Sequence, residues 1–444
     1  MLVTKCHNQF TVTDRDDSLA LDMNTALKQP MPMRALLSVV LLISPLTAVN
    51  GAEPLAQNYQ VVLRVPSPLI TAGPGLVRFS DRTILAVCPI DGYRKGGEKT
   101  SNANYRVHVV LSRDGGLTWQ ESAPPLPYMT ATPFLVDDVV YLLAHRRGRR
   151  DVLILKSVDQ GATWSKPVEL YRGSYWNAPT GIAVRDGVLY RALGTGGHGA
   201  RIETVVLALD LKKNPMSPRS WRKSNTIRYP GTPKALDRNL YPGESGRSVF
   251  AVDHWLEPNI SNVRGRLMVT HRTRIDGYAT AGLTAICDLS DSGEEMKLKF
   301  TQFYPMPGAQ NKFFIIYDKK SELFWTPVNI PTDNQNSTGW DKDLWRRGFL
   351  GGPGNERRIL MLQYSRDCLN WFQAGCIAAW PSPMHSFSYA ASLVDGNDLL
   401  ILSRTSAPGK EPKRNNHDTN LVTFHRVRDF RSLALNLKPD FSKQ

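Results

Sequence analysis

Beyond residue 52 the chain is built from short apolar runs separated by polar turn residues, and helical periodicity is scarce. Runs rich in β-branched residues fall at 106–111, 139–145, 151–155, 204–209, 267–271, 313–317 and 399–402, and each predicts a strand. One pattern recurs: an apolar segment, a polar turn, a second apolar segment. The turns fall at Ser80-Asp81, Asp137-Asp138, Asp186-Gly187, Arg264-Gly265, Asp318-Lys319 and Asp395-Gly396. Asp-Gly and similar pairs supply the positive φ that tight hairpins need. From Asp81 to Asp395 these turns recur about every 63 residues. A unit of that length holds several strands, so the expectation is an all-β fold, a six-bladed β-propeller of four-stranded antiparallel blades. A β-sandwich rich in hairpins is the alternative. The unequal spacing places insertions around 211–250 and 327–356.

A second repeat lies inside the first. Residues 112–119 read Ser-Arg-Asp-Gly-Gly-Leu-Thr-Trp, and residues 157–164 read Ser-Val-Asp-Gln-Gly-Ala-Thr-Trp. Both fit S-x-D-x-G-x-T-W. A third copy, from Ser365 through Asp367 to Trp371, is one residue shorter and lacks the Gly. The carboxylate of such a turn accepts local backbone N–H bonds, Gly takes the strained conformation, and Trp packs between strands.

Residues 36–49 form the only long apolar run, too short to span a bilayer comfortably and interrupted by Pro45. Arg34 precedes it; Ala48, Gly51 and Ala52 follow. This reads as a secretory signal peptide within a leader over 1–52, with a membrane anchor as the alternative. Asp14, Asp16, Asp17 and Asp22 are unlike a signal's basic start, so Met31 or Met33 is a candidate initiator. The remaining 53–444 is expected to be one domain, secreted or periplasmic, and a monomer. The leader takes away Cys6 and leaves Cys88, Cys287, Cys368 and Cys376, of which Cys368 and Cys376 could pair across a turn. No His cluster gives a zinc pattern.

The chain of 444 residues carries a formal charge of +15, from 55 Lys+Arg against 40 Asp+Glu. At 41% apolar content it is not a disordered chain. Four basic and four acidic residues lie in 1–52, so the whole surplus belongs to the domain. It points to an anionic partner: nucleic acid, acidic lipid or acidic sugar.

The repeated S-x-D-x-G-x-T-W turn resembles the Asp box of sialidases and related propellers. The resemblance covers most of residues 59–430. Arg64-Val65-Pro66 resembles the family's Arg-Ile-Pro motif. Glu257, followed by Arg272 fifteen residues on, is similar to the family's fourth repeat. Arg357 resembles its third binding arginine. Arg274 and Arg358 are the alternatives if the register is off by one strand face. Phe387-Ser388-Tyr389 stands near the family's catalytic Tyr. Counting back from Asp395-Gly396 puts Phe387 on that position, with Tyr389 two residues on, on the same face of a regular strand. For the general acid, Asp91 sits at about the family's distance from the first Arg, and Glu98, in the loop 95–101, is its rival.

The chemistry explains why these types should meet. Sialic acid bears a carboxylate on its anomeric carbon, and a guanidinium binds that group through two parallel hydrogen bonds. Cleavage builds oxocarbenium character beside the carboxylate. A carboxylate nucleophile would be repelled there, and the resemblance implies Tyr389 instead, with Glu257 drawing off its proton and a separate acid protonating the leaving oxygen. It therefore implies an exo-glycosidase of sialidase type acting on an acidic glycan, with no metal or organic cofactor. A glycosidase for a different acidic sugar and a non-catalytic glycan-binding propeller are the alternatives.

Other features read more plainly. The basic cluster at 145–150 predicts a solvated loop, and without a nucleic-acid module no nucleic-acid partner is expected. Gly194-Thr-Gly-Gly-His198 lacks the Lys and helix of a phosphate loop. Asn259-Ile-Ser261 and Asn336-Ser-Thr338 fit glycosylation sequons. His417-Asp418-Thr419 begins the last apolar strand.

Overall fold

A computed structural model describes residues 53–439, apart from 67–68, 93–104, 148–149, 197–202, 234–253, 275–281, 334–352 and 409–414. The leader, Glu98 and Asn336 lie outside the described residues. The fold is a six-bladed propeller of antiparallel sheets with almost no helix. Blade 1 runs from the interrupted inner strand Leu69–Thr71 and Gly75–Arg78 through Ile84–Gly92 and Arg106–Ser112 to Gln120–Glu121. Blade 2 is Tyr128–Val136, Val139–Arg146, Val152–Ser157 and Val168–Tyr171. Blade 3 is centred on Val188–Thr195 and Glu203–Asp210. Blade 4 is His254–Val263, Arg266–Arg274, Leu283–Asp291 and Met296–Pro305. Blade 5 is Ile316–Asp318, Leu323–Asn329, Ile359–Ser365 and Phe372–Ala379. Blade 6 takes Ser386–Asp395, Asp398–Ser406 and Leu421–Val427 from late in the chain and its outer strand, Gln60–Arg64, from the start. Pairing of Gln60 with Phe424 and Arg64 with Leu421 closes the ring.

The sequence pattern follows from this stacking. Second strands are packed on both faces, so they read as unbroken apolar runs; Val140, Tyr141, Leu142, Leu143 and Ala144 are all buried. Each gap between neighbouring blades holds its own apolar cluster. Leu85 and Leu142 meet between blades 1 and 2, and Ala192 and Val269 between blades 3 and 4. Val110 and Leu402 fill the closing gap.

All six predicted turns join the first and second strands of a blade. Asp137-Asp138, Asp186-Gly187 and Arg264-Gly265 have positive φ at both residues, as two-residue hairpins require. The two full S-x-D-x-G-x-T-W copies join third to fourth strands with one geometry. The Asp114 carboxylate accepts from Ser112 Oγ (2.8 Å), Thr118 N (2.9 Å) and Thr118 Oγ1 (2.5 Å). Asp159 repeats this with Ser157, Thr163 N and Thr163 Oγ1 at 2.6, 2.9 and 2.6 Å. Gly116 has φ +97° and lies so close to the Phe424 ring that a Cβ there would come within 2.3 Å of it. Strand alternation puts these turns at the same end of the sheets as the first hairpins.

Three expectations need correction. The run at 313–317 enters its ladder only at Ile316. His145 is buried, not solvated. Asn259 is no glycan acceptor in the folded chain: it is fully buried, its Oδ1 accepts from Gly181 N (2.8 Å) and Ile315 N (3.0 Å), and its Nδ2 donates to Phe313 O. Cys88, Cys287, Cys368 and Cys376 are all free thiols.

Candidate active site

At the opposite end of the sheets, two inner strands break register in the same way. In blade 4, pairing jumps from Leu256–Arg272 to Asn259–Thr270, leaving Glu257 and Pro258 outside the ladder. In blade 6 it jumps from Ser388–Arg404 to Ala391–Leu402, leaving Tyr389 and Ala390 outside. Glu257 and Tyr389 have positive φ, +48° and +52°, which costs a non-glycine residue energy and calls for compensation. Buried donors supply it. Thr180 Oγ1 donates to Pro258 O (2.6 Å), and Lys312 Nζ to Ala390 O (2.6 Å) and Tyr389 O (3.5 Å). The broken alternation separates Phe387 from Tyr389. Phe387 is fully buried between Trp380 (ring centroids 5.0 Å), Tyr59 and His425. The expectation that the two share a face fails because Phe387 is still in regular register, whereas Tyr389 is the first of two bulge residues set opposite Ser403 and has positive φ, which breaks the alternation between them.

Tyr389 instead meets arginines. Arg272 Nη1 donates to Glu257 Oε2 (2.9 Å) and to Tyr389 Oη (3.1 Å), so those two oxygens lie at most about 6 Å apart, the sum of the two distances. The guanidinium carbons of Arg272, Arg357 and Arg404 stand 5.9, 5.1 and 5.1 Å from the centre of the Tyr389 ring. All three arginines are buried. Gly73 permits the packing, since a Cβ there would sit 3.3 Å from Tyr389 Cδ1 and 3.1 Å from Ala178 Cβ.

The charges do not cancel. Glu257 offsets Arg272, and Asp418 lies 3.8 Å from Arg404. Among the described residues the Arg357 guanidinium is hydrogen-bonded only by the amide oxygen of Asn355, at 3.1 and 2.7 Å. Among the described residues three guanidinia stand against two carboxylates, leaving one positive charge, to which buried Lys312 and Arg191 add. For Arg272, burial opposes the charged form, but Glu257 and the phenol oxygen outweigh it and its pKa is raised. For Arg357, burial prevails and, with Arg272 and Arg404 nearby, pulls the pKa down to about 10. Burial takes Lys312 down to about 7, against the attraction of Glu257. Arg404 is 4% exposed, and its Nη2 has no hydrogen-bond partner among the described residues. An unfilled buried donor is costly, and an anion binding there would relieve it.

The structure thus brings together Glu257, Arg272, Arg357 and Tyr389, and adds Arg404. It leaves Arg64 elsewhere: exposed, on the outer strand of blade 6, close enough to Tyr59 to act on its phenol. Arg358 turns to Glu356, Trp380 O and Pro381 O. Asp91 is half-buried at the end of the second strand of blade 1, opposite Ile70. That strand end is on the Tyr389 side of the ring. Arg404 carried a readable signal, because it follows Tyr389 by the fifteen residues that separate Glu257 from Arg272. A cavity of about 930 Å³ lies at the turn end instead, lined by Val184, Arg264, Tyr317, Lys319 and Leu435. It shares no residue with the Tyr389 cluster. Among the described residues no group of three or more His, Cys, Asp or Glu could hold a metal ion.

No family model and no curated protein matches the sequence. Among solved structures, Trypanosoma rangeli sialidase in complex with a 2,3-difluoro nononic acid superposes with a TM-score of 0.52 at 15% identity, over 83% of this chain and 55% of that one. The fold is sialidase-like. The chain spans just over half the length of that sialidase. A Dyadobacter fermentans protein of unknown function superposes at 0.51 with 11% identity, over 84% of this chain and 98% of that one. A weaker likeness, 0.48 at 12% identity, is to Penicillium chrysogenum alpha-L-arabinanase, over 84% and 98% of the two chains, and it supports nothing further. At such identities the likeness is one of fold, and the chemistry of this sialidase-like propeller has to be argued from its own residues.

Proposed function

We propose that the protein is an exo-glycosidase of sialidase type that removes a terminal acidic sugar from glycans. The observation carrying this reading is the ring of three buried guanidinia around a tyrosine whose oxygen shares one arginine nitrogen with a glutamate. Arg357 and Arg404 receive the substrate carboxylate, since among the described residues one has no carboxylate partner and the other has a spare donor. Tyr389 Oη attacks the anomeric carbon while Glu257, after a small movement, takes the phenol proton. The bond to the leaving oxygen breaks, and that oxygen is protonated by Asp91 or Glu98. Water then attacks the anomeric carbon and gives a proton to the Asp91 or Glu98 carboxylate, the tyrosyl–sugar bond breaks as Glu257 returns its proton to Tyr389, and the free sugar departs. Arg272 donates to both oxygens and so steadies the negative charge that develops on the phenol oxygen during attack.

The supporting points are the paired bulges, the surplus positive charge and the fold. Secretion of the 53–444 unit and action as a monomer belong to the same proposal. Among the described residues, no helix is long and apolar enough to cross a membrane. The test is release of a fluorescent aglycone from an aryl α-sialoside, read beside calorimetric binding of free N-acetylneuraminic acid. Turnover supports the enzyme. Binding without turnover in folded protein replaces it with a glycan-binding propeller, and folded protein that neither turns over the sialoside nor binds the free sugar defeats the reading.

A further inference from the structure

The residues just before the last strand of blade 6 build a feature the reaction above does not use. Asn415 Oδ1 accepts from His417 N (2.7 Å) and Asp418 N (2.6 Å), which fixes the loop. His417 Nδ1 lies 2.8 Å from Asp418 Oδ1, and its ring meets the Tyr389 ring edge-on, centroids 6.2 Å apart. Burial works to raise the Asp418 carboxyl, but the bonds from His417 and Asn415 and the charge of Arg404 outweigh it and hold its pKa far below the carboxylate range. An ionised carboxylate only accepts, so Nδ1 of His417 must carry the proton. Burial and the charges of Arg404 and Arg357 oppose a second proton and push the His417 pKa down to about 3, although Asp418 pulls the other way. The ring is therefore neutral, and Nε2 keeps a lone pair. That nitrogen has no hydrogen-bond partner among the described residues, and the side chain is 30% exposed. Next to a cluster of donors stands one acceptor of fixed tautomer.

Resting on the reading of this site as an acidic-sugar site, we propose that His417 Nε2 accepts a hydrogen bond from an O–H or N–H of the bound sugar, so that the ligand must carry a donor beside its carboxylate. The charge is compatible: the cluster is net positive, as an anionic ligand requires, and a fully ionised phosphate group would offer His417 no donor. His417 is then a specificity residue, held in its tautomer by Asp418 as positioning residue.

The test is calorimetric binding of N-acetylneuraminic acid and its monodeoxy analogues to the full chain and to His417→Gln and His417→Phe. Gln keeps an acceptor and Phe does not. The expected result is a loss of about 5- to 50-fold for His417→Phe, with His417→Gln closer to wild type. One analogue should bind wild type more weakly and be indifferent to His417→Phe, which identifies the donor. Equal binding by wild type and His417→Phe, or every analogue losing the same factor on both proteins, overturns the proposal while leaving the site reading intact. Failure of wild type to bind the sugar at all removes that reading, and this one with it. Circular dichroism and thermal melts check that each variant folds.

Discussion

Replacing Arg404 with Met asks whether the arginine from blade 6, and not the one in the Arg64-Val65-Pro66 segment, completes the site. The substitution removes a guanidinium that is almost wholly buried, 5.1 Å from the Tyr389 ring centre, with one nitrogen unbonded among the described residues. Asp418 is not orphaned by the change, because its bond to His417 and its links to Asn415 remain. Thr419 Oγ1 loses the donor Arg404 Nε but keeps Thr71 Oγ1 at 2.6 Å. What disappears is the hydrogen bond to the ligand carboxylate. A bond to a charged group is worth about 1.5–3 kcal/mol, which is about 10- to 150-fold in Kd. Arg64 is exposed on the outer strand, so Arg64→Met should change Kd by no more than about twofold. The assay is isothermal titration calorimetry with N-acetylneuraminic acid at pH 7, with melting curves to show that both variants fold. A large loss for Arg64→Met beside a small one for Arg404→Met would refute the assignment, because it would put the third arginine where the sequence first suggested.

Two further outcomes follow from the same contacts. The Lys312 pKa is lowered from 10.5 to about 7, so between those values the unfolded chain holds a proton the folded one has shed. Stability should therefore rise from pH 7 towards pH 10, by at most about 1.4 kcal/mol per pH unit from this group, and that gain is lost as pH falls back to 7, below which the group adds no slope. Denaturant titrations should show that rise reduced in Lys312→Met; an unchanged slope would show that Lys312 is not its source. Phe387→Ala should cost about 3–5 kcal/mol, as for a large core aromatic. If it instead leaves stability alone and abolishes sugar binding, Phe387 belongs in the site and the described packing is wrong.

The fold was readable because propeller blades repeat a local instruction. Each first hairpin needs positive-φ residues, and each second strand needs an unbroken apolar run, and both survive in single-sequence patterns. Family order pointed to Glu257, Arg272 and Arg357, and the structure brings them together; Glu257 and Arg272 stand at equal steps on either side of the Arg264-Gly265 hairpin. Tyr389 was harder. Simple alternation joins it to Phe387, but the one extra residue of the bulge, which sets Tyr389 and Ala390 opposite Ser403, sends Phe387 into the core and Tyr389 to the arginines. Arg64 misled because a motif records neighbours in the chain, whereas its position on the closing strand of the ring is set by pairing with residues more than 350 places away. Arg404 was hidden for the converse reason: no motif marks it, only its cross-strand relation to Tyr389. Asn259 shows the same limit, since a three-residue sequon carries no information about burial.

The central claim is that Tyr389 is the nucleophile of an acidic-sugar glycosidase. A 2,3-difluorosialic acid reacts with such an enzyme by losing its anomeric fluoride and leaving a slowly hydrolysed sugar on the attacking residue. Intact-mass and peptide mass spectrometry of the treated full chain should find one fluorosugar on the peptide containing Tyr389, and none in Tyr389→Phe. A folded, sugar-binding protein that stays unlabelled, or that carries the label on another residue, would contradict the account.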